Sequence, residues 1–109
     1  MADEAYTVRI LEPTQQEIES IAELYFSLAG AQSARRITDK IYDSLEQLIQ
    51  FPLSGPSMRE AELRKLGFRF LVLEKYVIIY RLIGDTVFAY HFFDGRSDYP
   101  TLFKSELFL

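Results

Sequence analysis

Residues 76–93 read YVIIYRLIGDTVFAYHFF, and this stretch decides the fold. Its two ends, YVIIYRL and TVFAYHFF, are rich in β-branched and aromatic residues and are separated by Gly-Asp at 84–85. A two-residue connection that starts with glycine is typical of a type II′ hairpin between antiparallel strands. GFRFLVL, at 67–73, precedes them across Glu-Lys at 74–75, so we expect a meander of three antiparallel strands.

The preceding residues predict one further strand and two helices. YTVRIL, at 6–11, predicts a strand at an edge of the sheet, and TQQE, at 14–17, fits a capping box at a helix start. Apolar residues then recur at helical spacing: Ile18, Ile21, Ala22, Tyr25 and Leu28, and, after a break at Gly30, Ala34, Ile37, Ile41, Leu45 and Leu48. Helices joined this closely lie antiparallel, and the loop FPLSGP at 51–56 ends the hairpin.

These elements predict an α+β fold in two layers, with an N-terminal strand, an antiparallel helix hairpin and a three-stranded antiparallel meander. One helix pair covers only one face of such a sheet. Both faces are nevertheless apolar, with Ile78, Tyr80 and Leu82 on one and Val77, Ile79 and Ile83 on the other. Either the tail at 99–109, which suits a short helix or an edge strand, folds over the second face, or a partner covers it.

Composition sets limits on function. A chain of 109 residues forms one domain, here taken as residues 1–109, and 49% hydrophobic with 26% charged residues is typical of a globular protein. The absence of Cys excludes disulfides and thiolate chemistry, and the single His argues against a His-rich metal site. The acidic start, MADE, is followed by no apolar secretion signal, and no apolar run reaches membrane-spanning length, so we expect a cytoplasmic protein.

Charge is distributed unevenly along the chain. Residues 1–55 contain four Lys or Arg against nine Asp or Glu, and residues 56–109 contain eight against seven, which gives net charges of −5 and +1. A protein that coats nucleic acid needs many phosphate contacts, so any such role here depends on a local patch. Four bases lie within eleven residues, interspersed with Glu60 and Glu62: Arg59, Arg64, Lys65 and Arg69.

These bases have two interpretations. They can form a solvated loop with local ion pairs. With Arg81 and Arg96 they can instead converge on one rim of the sheet as a pocket for phosphate or carboxylate, which guanidinium groups bind in a two-point geometry.

HFFDGRSDYP, at 91–100, is the other candidate for chemistry. His91 can act as a general acid or base, although a lone His in an aromatic strand is more often a hydrogen-bonded core residue. Asp94, Arg96 and Asp98 around a glycine can form a turn with an internal ion pair. We interpret this segment as a buried strand that ends in a functional corner, with Arg96 as its working residue and His91 as structural.

The order of the elements, together with four segments, resembles the RelE/ParE superfamily of toxins from bacterial type II toxin–antitoxin pairs. The segments are FPLSGPSM, ELRKLGFRFLV, YVIIYRL and HFFDGRSDY, and the resemblance covers about residues 6–103. It implies a toxin that needs no cofactor or metal and that a cognate antitoxin silences by lying across it. It also implies no membrane partner, and no contact with DNA except through the antitoxin.

The superfamily has two branches with different mechanisms. The RelE-like branch cleaves messenger RNA on the ribosome without a metal, and this resemblance implies Arg69, Arg81, Arg96 and His91 as catalytic residues. The ParE-like branch binds DNA gyrase and needs no catalytic residues. We favour the ParE-like branch because Gly95-Arg96-x-Asp98-Tyr99 and the long helix hairpin resemble it more. The acidity of the chain also counts against the other branch, because an enzyme that enters an RNA-lined site is normally basic enough to be attracted to it.

A second set of residues is implied for contact with the target or with phosphate: Arg59, Arg64, Lys65 and Tyr99. Lys65 can stand for one of the basic residues of the RelE-like enzymes, and Tyr99 is placed loosely against their C-terminal tyrosine. The ribosome-dependent ribonuclease is therefore kept as the alternative function.

Overall fold

The meander forms as predicted and is the centre of the molecule. In this computed structural model, which describes residues 6–108, the strands are β1 (Thr7–Ile10), β2 (Phe68–Leu73), β3 (Tyr76–Ile83) and β4 (Thr86–Asp94). They form one sheet in the order β1-β4-β3-β2, with β1 parallel to β4 and the other pairs antiparallel. The first strand therefore lies at an edge, as expected. The acidic start at residues 1–4 lies outside the described residues.

Four helices accompany the sheet: α1 (Glu12–Ala29), α2 (Ala31–Gln50), α3 (Ala61–Lys65) and α4 (Tyr99–Phe108). The first two form the predicted hairpin, and Gly30 connects them with a φ of 90°, a value that glycine adopts without a steric penalty. The short α3 follows the Pro/Gly loop and was not predicted. The tail is a helix rather than an edge strand.

The predicted capping box is wrong. Helix α1 begins two residues earlier, at Glu12, with Pro13 in its first turn, where the missing N–H of proline costs nothing. Thr14 is fully buried inside the helix, and its hydroxyl donates to the carbonyl of Ala89 in β4 at 2.8 Å. The Thr and Glu of the motif therefore bind the sheet instead of the helix start.

The hairpin covers one face of the sheet with an aliphatic core. From α2, the predicted stripe supplies Ile37, Ile41, Leu45 and Leu48, all buried, and Ile18 joins them from α1. The sheet supplies Leu73, Tyr76, Ile78, Tyr80, Val87, Ala89 and Phe92. Leu28, predicted for the apolar stripe of α1, is instead exposed in the last turn of the helix, beside the Gly30 connection to α2.

Helix α4 covers part of the opposite face, which is one of the two arrangements predicted for the tail. A second core lies there, formed by Met58, Leu63, Phe68, Val77, Ile79 and Phe103. The Phe103 ring packs edge to face on Phe68 at a centroid distance of 4.9 Å. Val72 and Ile83 on the same face stay exposed, which shows that α4 covers it incompletely.

The loop after the hairpin returns the chain to the edge of β2. Ser57 bridges Arg69, and the backbone N–H of Met58 donates to the carbonyl of Phe68 at 3.0 Å. Gly55 lies against the sheet, where its N–H donates to the Tyr80 hydroxyl at 2.9 Å. This loop therefore covers the first half of the edge of β2 and places the following residues beside the second core.

Candidate functional site

The four candidate catalytic residues do not converge. Arg69 pairs across strands with Tyr80, on the hairpin face, whereas Arg81 pairs with Phe68, on the α4 face. Successive strand residues point to opposite faces, so the two guanidinium groups lie on different sides of the sheet. The predicted basic rim is therefore not formed by these two arginines.

Arg69 binds the backbone of the Pro/Gly loop. Its Nη1 donates to the carbonyl of Gly55 at 2.7 Å and to that of Leu53 at 3.3 Å. The same loop is held from the hairpin side by the Tyr80 hydroxyl, and burial raises the pKa of that phenol. In this arrangement Arg69 fixes the position of the loop.

Arg81 is held among aromatic rings. Its guanidinium carbon lies 4.4 Å from the centroid of the Phe68 ring, and Nη2 donates to the Tyr90 hydroxyl at 2.8 Å. Nη1 donates to the carbonyl of Leu66 at 3.1 Å, while the buried Nε has no partner. A stacked guanidinium held at three points fixes the corner between α3 and β2.

His91 lies between two carboxylates. A bulge in β4 turns Tyr90 and His91 to the same face, because Ile79 pairs with His91 and the next residue, Tyr80, pairs with Ala89. Nδ1 lies 2.8 Å from Glu17 of α1, and Nε2 lies 2.9 Å from Glu106 of α4. Only the imidazolium donates to both carboxylates at once.

The surroundings of His91 favour its charged form. The hydrogen bond to Glu17 raises the pKa of His91 most, and its negative charge and that of Glu106 raise it further, against an opposing effect of burial. The other Glu17 oxygen accepts from the backbone N–H of Phe92 at 2.7 Å, beyond the end of the pairing with β1. His91 therefore joins β4 to two helices.

Arg96 lies at the far end of the sheet from Arg81. Asp94 pairs with Tyr76 and Arg81 lies five residues further along β3, which is about 17 Å at the ~3.3 Å rise of a strand. The Arg96 side chain is 83% exposed, and Asp94 accepts from its Nε, its Nη2 and its backbone N–H. These bonds lower the pKa of Asp94 to about 2 and raise the pKa of Arg96.

The predicted target-binding residues are brought together only in part. Arg59 and Tyr99 line one cleft of about 380 Å³ on the α4 face, and we call it the outer cleft; its other residues are Met58, Glu60, Phe70 and Pro100. Arg64 and Lys65 lie on α3 and do not line it; the Arg64 guanidinium donates to the carbonyl of Arg59 at 2.7 Å. Sequence reasoning missed Met58 and Phe70, because nothing in their spacing distinguishes a cleft wall from core.

The chemistry that the outer cleft offers is mainly apolar. A thioether, two aromatic rings and a proline form its walls, with one cation and one carboxylate at Arg59 and Glu60. The Tyr99 ring stacks on Phe93 with centroids 6.4 Å apart, which fixes its orientation. Such a surface suits an apolar side chain of a macromolecular partner.

The chain matches the sequence profile of one known protein family over most of its length. The profile described as "ParE toxin of type II toxin-antitoxin system, parDE" matches residues 8–99. The chain belongs to the ParE toxin family. As a ParE-family member it is a toxin of a type II toxin–antitoxin system, as the resemblance predicts. No curated protein sequence matches it.

Solved structures share the fold of this ParE-family chain at low identity. A chain of the chromosomal ParDE toxin–antitoxin system from P. aeruginosa is 19% identical, with a TM-score of 0.70 over 84% of this chain and 98% of that one. The toxin–antitoxin complex RelBE2 from Mycobacterium tuberculosis contains a chain that is 18% identical, with a TM-score of 0.61 over 83% of this chain and 98% of that one. A mutant of E. coli toxin RelE in the free state is 14% identical, with a TM-score of 0.64 over 96% of this chain and 99% of that one.

No helix within residues 6–108 is long and apolar enough to cross a membrane. Within the same range, no three His, Asp or Glu side chains are grouped so that they could hold a metal ion. His91 does not make such a group with its two carboxylates, because they bind opposite nitrogens of the ring.

Proposed function

We propose that this toxin inhibits growth by binding a protein target, DNA gyrase, and that it does so without catalytic residues of its own. The observation that carries the proposal is the dispersal of the four candidate catalytic side chains over two faces and two ends of the sheet. Metal-independent RNA cleavage needs a base, an acid and cations around one phosphate. Arg69, Arg81 and His91 are instead bound to internal partners.

The outer cleft is the part of the surface that we assign to the target. Its apolar walls and single guanidinium suit a protein anchor better than a phosphate backbone. We further propose that a cognate antitoxin silences the toxin in the cytoplasm, where gyrase acts. The toxin–antitoxin assemblies among the structural neighbours support such a partner.

The deciding experiment uses the purified toxin in two parallel assays. In a gyrase supercoiling reaction we expect inhibition, and in cell-free translation read by primer extension we expect intact message. Codon-phased cuts that need ribosomes would overturn the proposal and establish the RelE-like alternative. That alternative is favoured by one observation, the shared position of Arg59 and Tyr99 in a single cleft.

Matched variants locate the target surface. Phe70→Ala removes a wall of the outer cleft, and Val72→Ala removes an exposed side chain two residues further along the same strand and face. We expect at least tenfold weaker gyrase inhibition from the first and less than a twofold change from the second. Equal losses would place the target surface elsewhere.

Single substitutions of the arginines test the catalytic alternative directly. Arg96→Ala should stay fully toxic, because its only side-chain partner among residues 6–108 is the neighbouring Asp94. Loss of toxicity in Arg96→Ala, with a normal melting temperature and retained gyrase binding, would contradict a pure binding mechanism. Arg69→Ala is less informative alone, since the loop it holds also forms part of the fold.

A further inference from the structure

A small polar cavity lies between the helix hairpin and the turn that joins β2 to β3, away from the outer cleft. Its volume is about 120 Å³, and it is lined by Tyr25, Ser33, Arg36, Ile37, Lys40 and Glu74. At the roughly 30 Å³ that a water molecule occupies in the liquid, this is room for about four waters. A hydroxyl from each of α1 and α2 and two cations from α2 supply donors to it.

The two cations of this cavity differ in their partners. Lys40 Nζ donates to Glu74 Oε2 at 2.6 Å. Arg36 forms no side-chain hydrogen bond or ion pair with any residue between 6 and 108. The pKa of Glu74 is lowered mainly by its hydrogen bond to Lys40 and by the charge of Lys40, and to a smaller extent by the charge of Arg36. The carboxylate therefore lies within the electric field of both cations. The cavity thus contains one internal anion and an unused guanidinium.

Glu74 reaches the cavity from an unusual backbone position. It occupies the first position of the turn between β2 and β3 with a φ of 58°, the only positive value at a non-glycine residue within 6–108. Glycine, Asn or Asp adopts this conformation more easily than Glu. Strained residues persist where the surrounding structure or a function requires them. Here the strained residue is the one whose carboxylate faces Lys40.

We propose that this cavity is a binding site for one oxyanion, a carboxylate or a phosphate, and that Glu74 is its built-in occupant. An incoming anion displaces the Glu74 carboxylate from Lys40 and gains the Arg36 guanidinium, with Ser33 as a further donor. The site is distinct from the surface assigned to the target.

The proposal is tested by titrating inorganic phosphate into the full chain and following backbone amides by NMR. Glu74→Gln removes the internal anion and keeps the length of the side chain. We expect this variant to bind phosphate at least tenfold tighter than the wild type, with saturable shifts at Ser33, Arg36 and Lys40. Absence of saturable shifts in Glu74→Gln would overturn the proposal.

Two further variants separate a site from general surface charge. In the Glu74→Gln background, Arg36→Gln should weaken phosphate binding at least tenfold. Arg35→Gln, which removes the neighbouring exposed charge outside the cavity, should change it less than twofold. Equal losses from both would mean that phosphate only screens the basic helix face and would also overturn the proposal. A parallel titration with acetate distinguishes a carboxylate site from a phosphate site.

Discussion

The two faces of the sheet are built differently, although each carries an apolar core. On the hairpin face, α1 and α2 cover aliphatic side chains almost completely, and a hydroxyl, that of Tyr80, is bound to the backbone of Gly55. On the α4 face, a single ten-residue helix covers an aromatic core that also contains Arg81 and His91. The outer cleft opens on this second face. We therefore expect the hairpin face to supply most of the stability, and we assign the proposed target surface to the α4 face.

The largest effect should come from the hairpin core. Ile41→Ala removes a fully buried side chain from α2, and the cavity left behind should lower the free energy of unfolding by about 2 to 5 kcal/mol. Urea unfolding followed by circular dichroism measures this loss. Because Ile41 belongs to one continuous core that joins both helices to the sheet, we expect the transition to remain cooperative.

The matched change on the other face is Phe103→Ala. Phe103 is the one buried residue within α4, so its loss should release that helix while the sheet and hairpin stay folded. Hydrogen exchange should therefore accelerate within 99–108, and the global unfolding free energy should fall less than in Ile41→Ala. If both variants lost the same global stability, the two faces would form one cooperative core and the comparison would fail.

The next effect concerns the loop that joins the two faces. A Cβ added at Gly55 would lie 2.3 Å from the Phe70 carbonyl oxygen and 2.8 Å from the Tyr80 hydroxyl. Both distances are shorter than a van der Waals contact, so the methyl group does not fit and Gly55→Ala should destabilise the protein by about 1 to 3 kcal/mol. It should also weaken gyrase inhibition, because Phe70 forms a wall of the outer cleft.

Ser57→Ala is the control for this substitution. Ser57 is exposed in the same loop, and an exposed Ser to Ala change should stay within about 0.5 kcal/mol of the wild type. Thermal unfolding of both variants gives the comparison. A Gly55→Ala protein as stable as the wild type would show that the loop can move away from the sheet at little cost.

A smaller effect is expected from the titration of His91. Its pKa is raised in the folded protein, above the ordinary value near 6.5, so the protein binds this proton more tightly when folded. The resulting stabilisation is complete below pH 6.5 and is lost as the pH rises through the folded pKa. His91→Gln should therefore be less stable than the wild type at low pH, and the difference should narrow above neutrality.

Variants of the two carboxylates show which contact causes the shift. Glu17→Gln should lower the pKa of His91 more than Glu106→Gln does, because the Glu17 hydrogen bond is the larger cause and the Glu106 side chain is the more exposed of the two. Proton NMR of the single imidazole reports both values. An unchanged pKa in both variants would remove the proposed link between β4 and the helices.

The sequence predicted the fold better than the site, and the reason is physical. Periodic burial is repeated along an element, so the stripe from Ile37 to Leu48 and the three strands of the meander could be recognised. A site depends on single side chains from distant elements. Glu17 meets His91 across 74 positions, and Phe70 meets Tyr99 across the second core. The spacing of residues along the chain does not predict contacts between such distant positions.

The capping box and the basic rim illustrate this difference. The capping box at Thr14 was wrong because proline at the preceding position starts a helix equally well, which released the Thr hydroxyl for Ala89. The basic rim was one of two interpretations, and it rested on the closeness of the bases in the sequence, which does not say which face of the sheet each side chain takes. The register pairs Arg69 with Tyr80 instead of Arg81, and this one-residue offset sends the two guanidinium groups to opposite faces.

The smallest effect on stability is expected at the exposed corner after β4. Arg96→Ala removes the two side-chain bonds to Asp94, so the pKa of Asp94 should rise from about 2. It should stay below its ordinary value of 3.8, because the backbone N–H of residue 96 still donates to the carboxylate. Carbon-detected NMR of the Asp94 carboxyl measures this.

The lowered pKa of Asp94 means that its contribution to stability is present above about pH 4 and is lost as the pH falls through about 2. Exposed ion pairs contribute little, so the melting temperature of Arg96→Ala at pH 7 should equal that of the wild type. Lys75→Ala, which removes a weaker and more distant charge, should shift the pKa of Asp94 less. A clear loss of thermal stability in Arg96→Ala would show that this corner helps to hold the α4 face together. The surface that we propose for the target would then depend on the fold more than the exposure of Arg96 indicates.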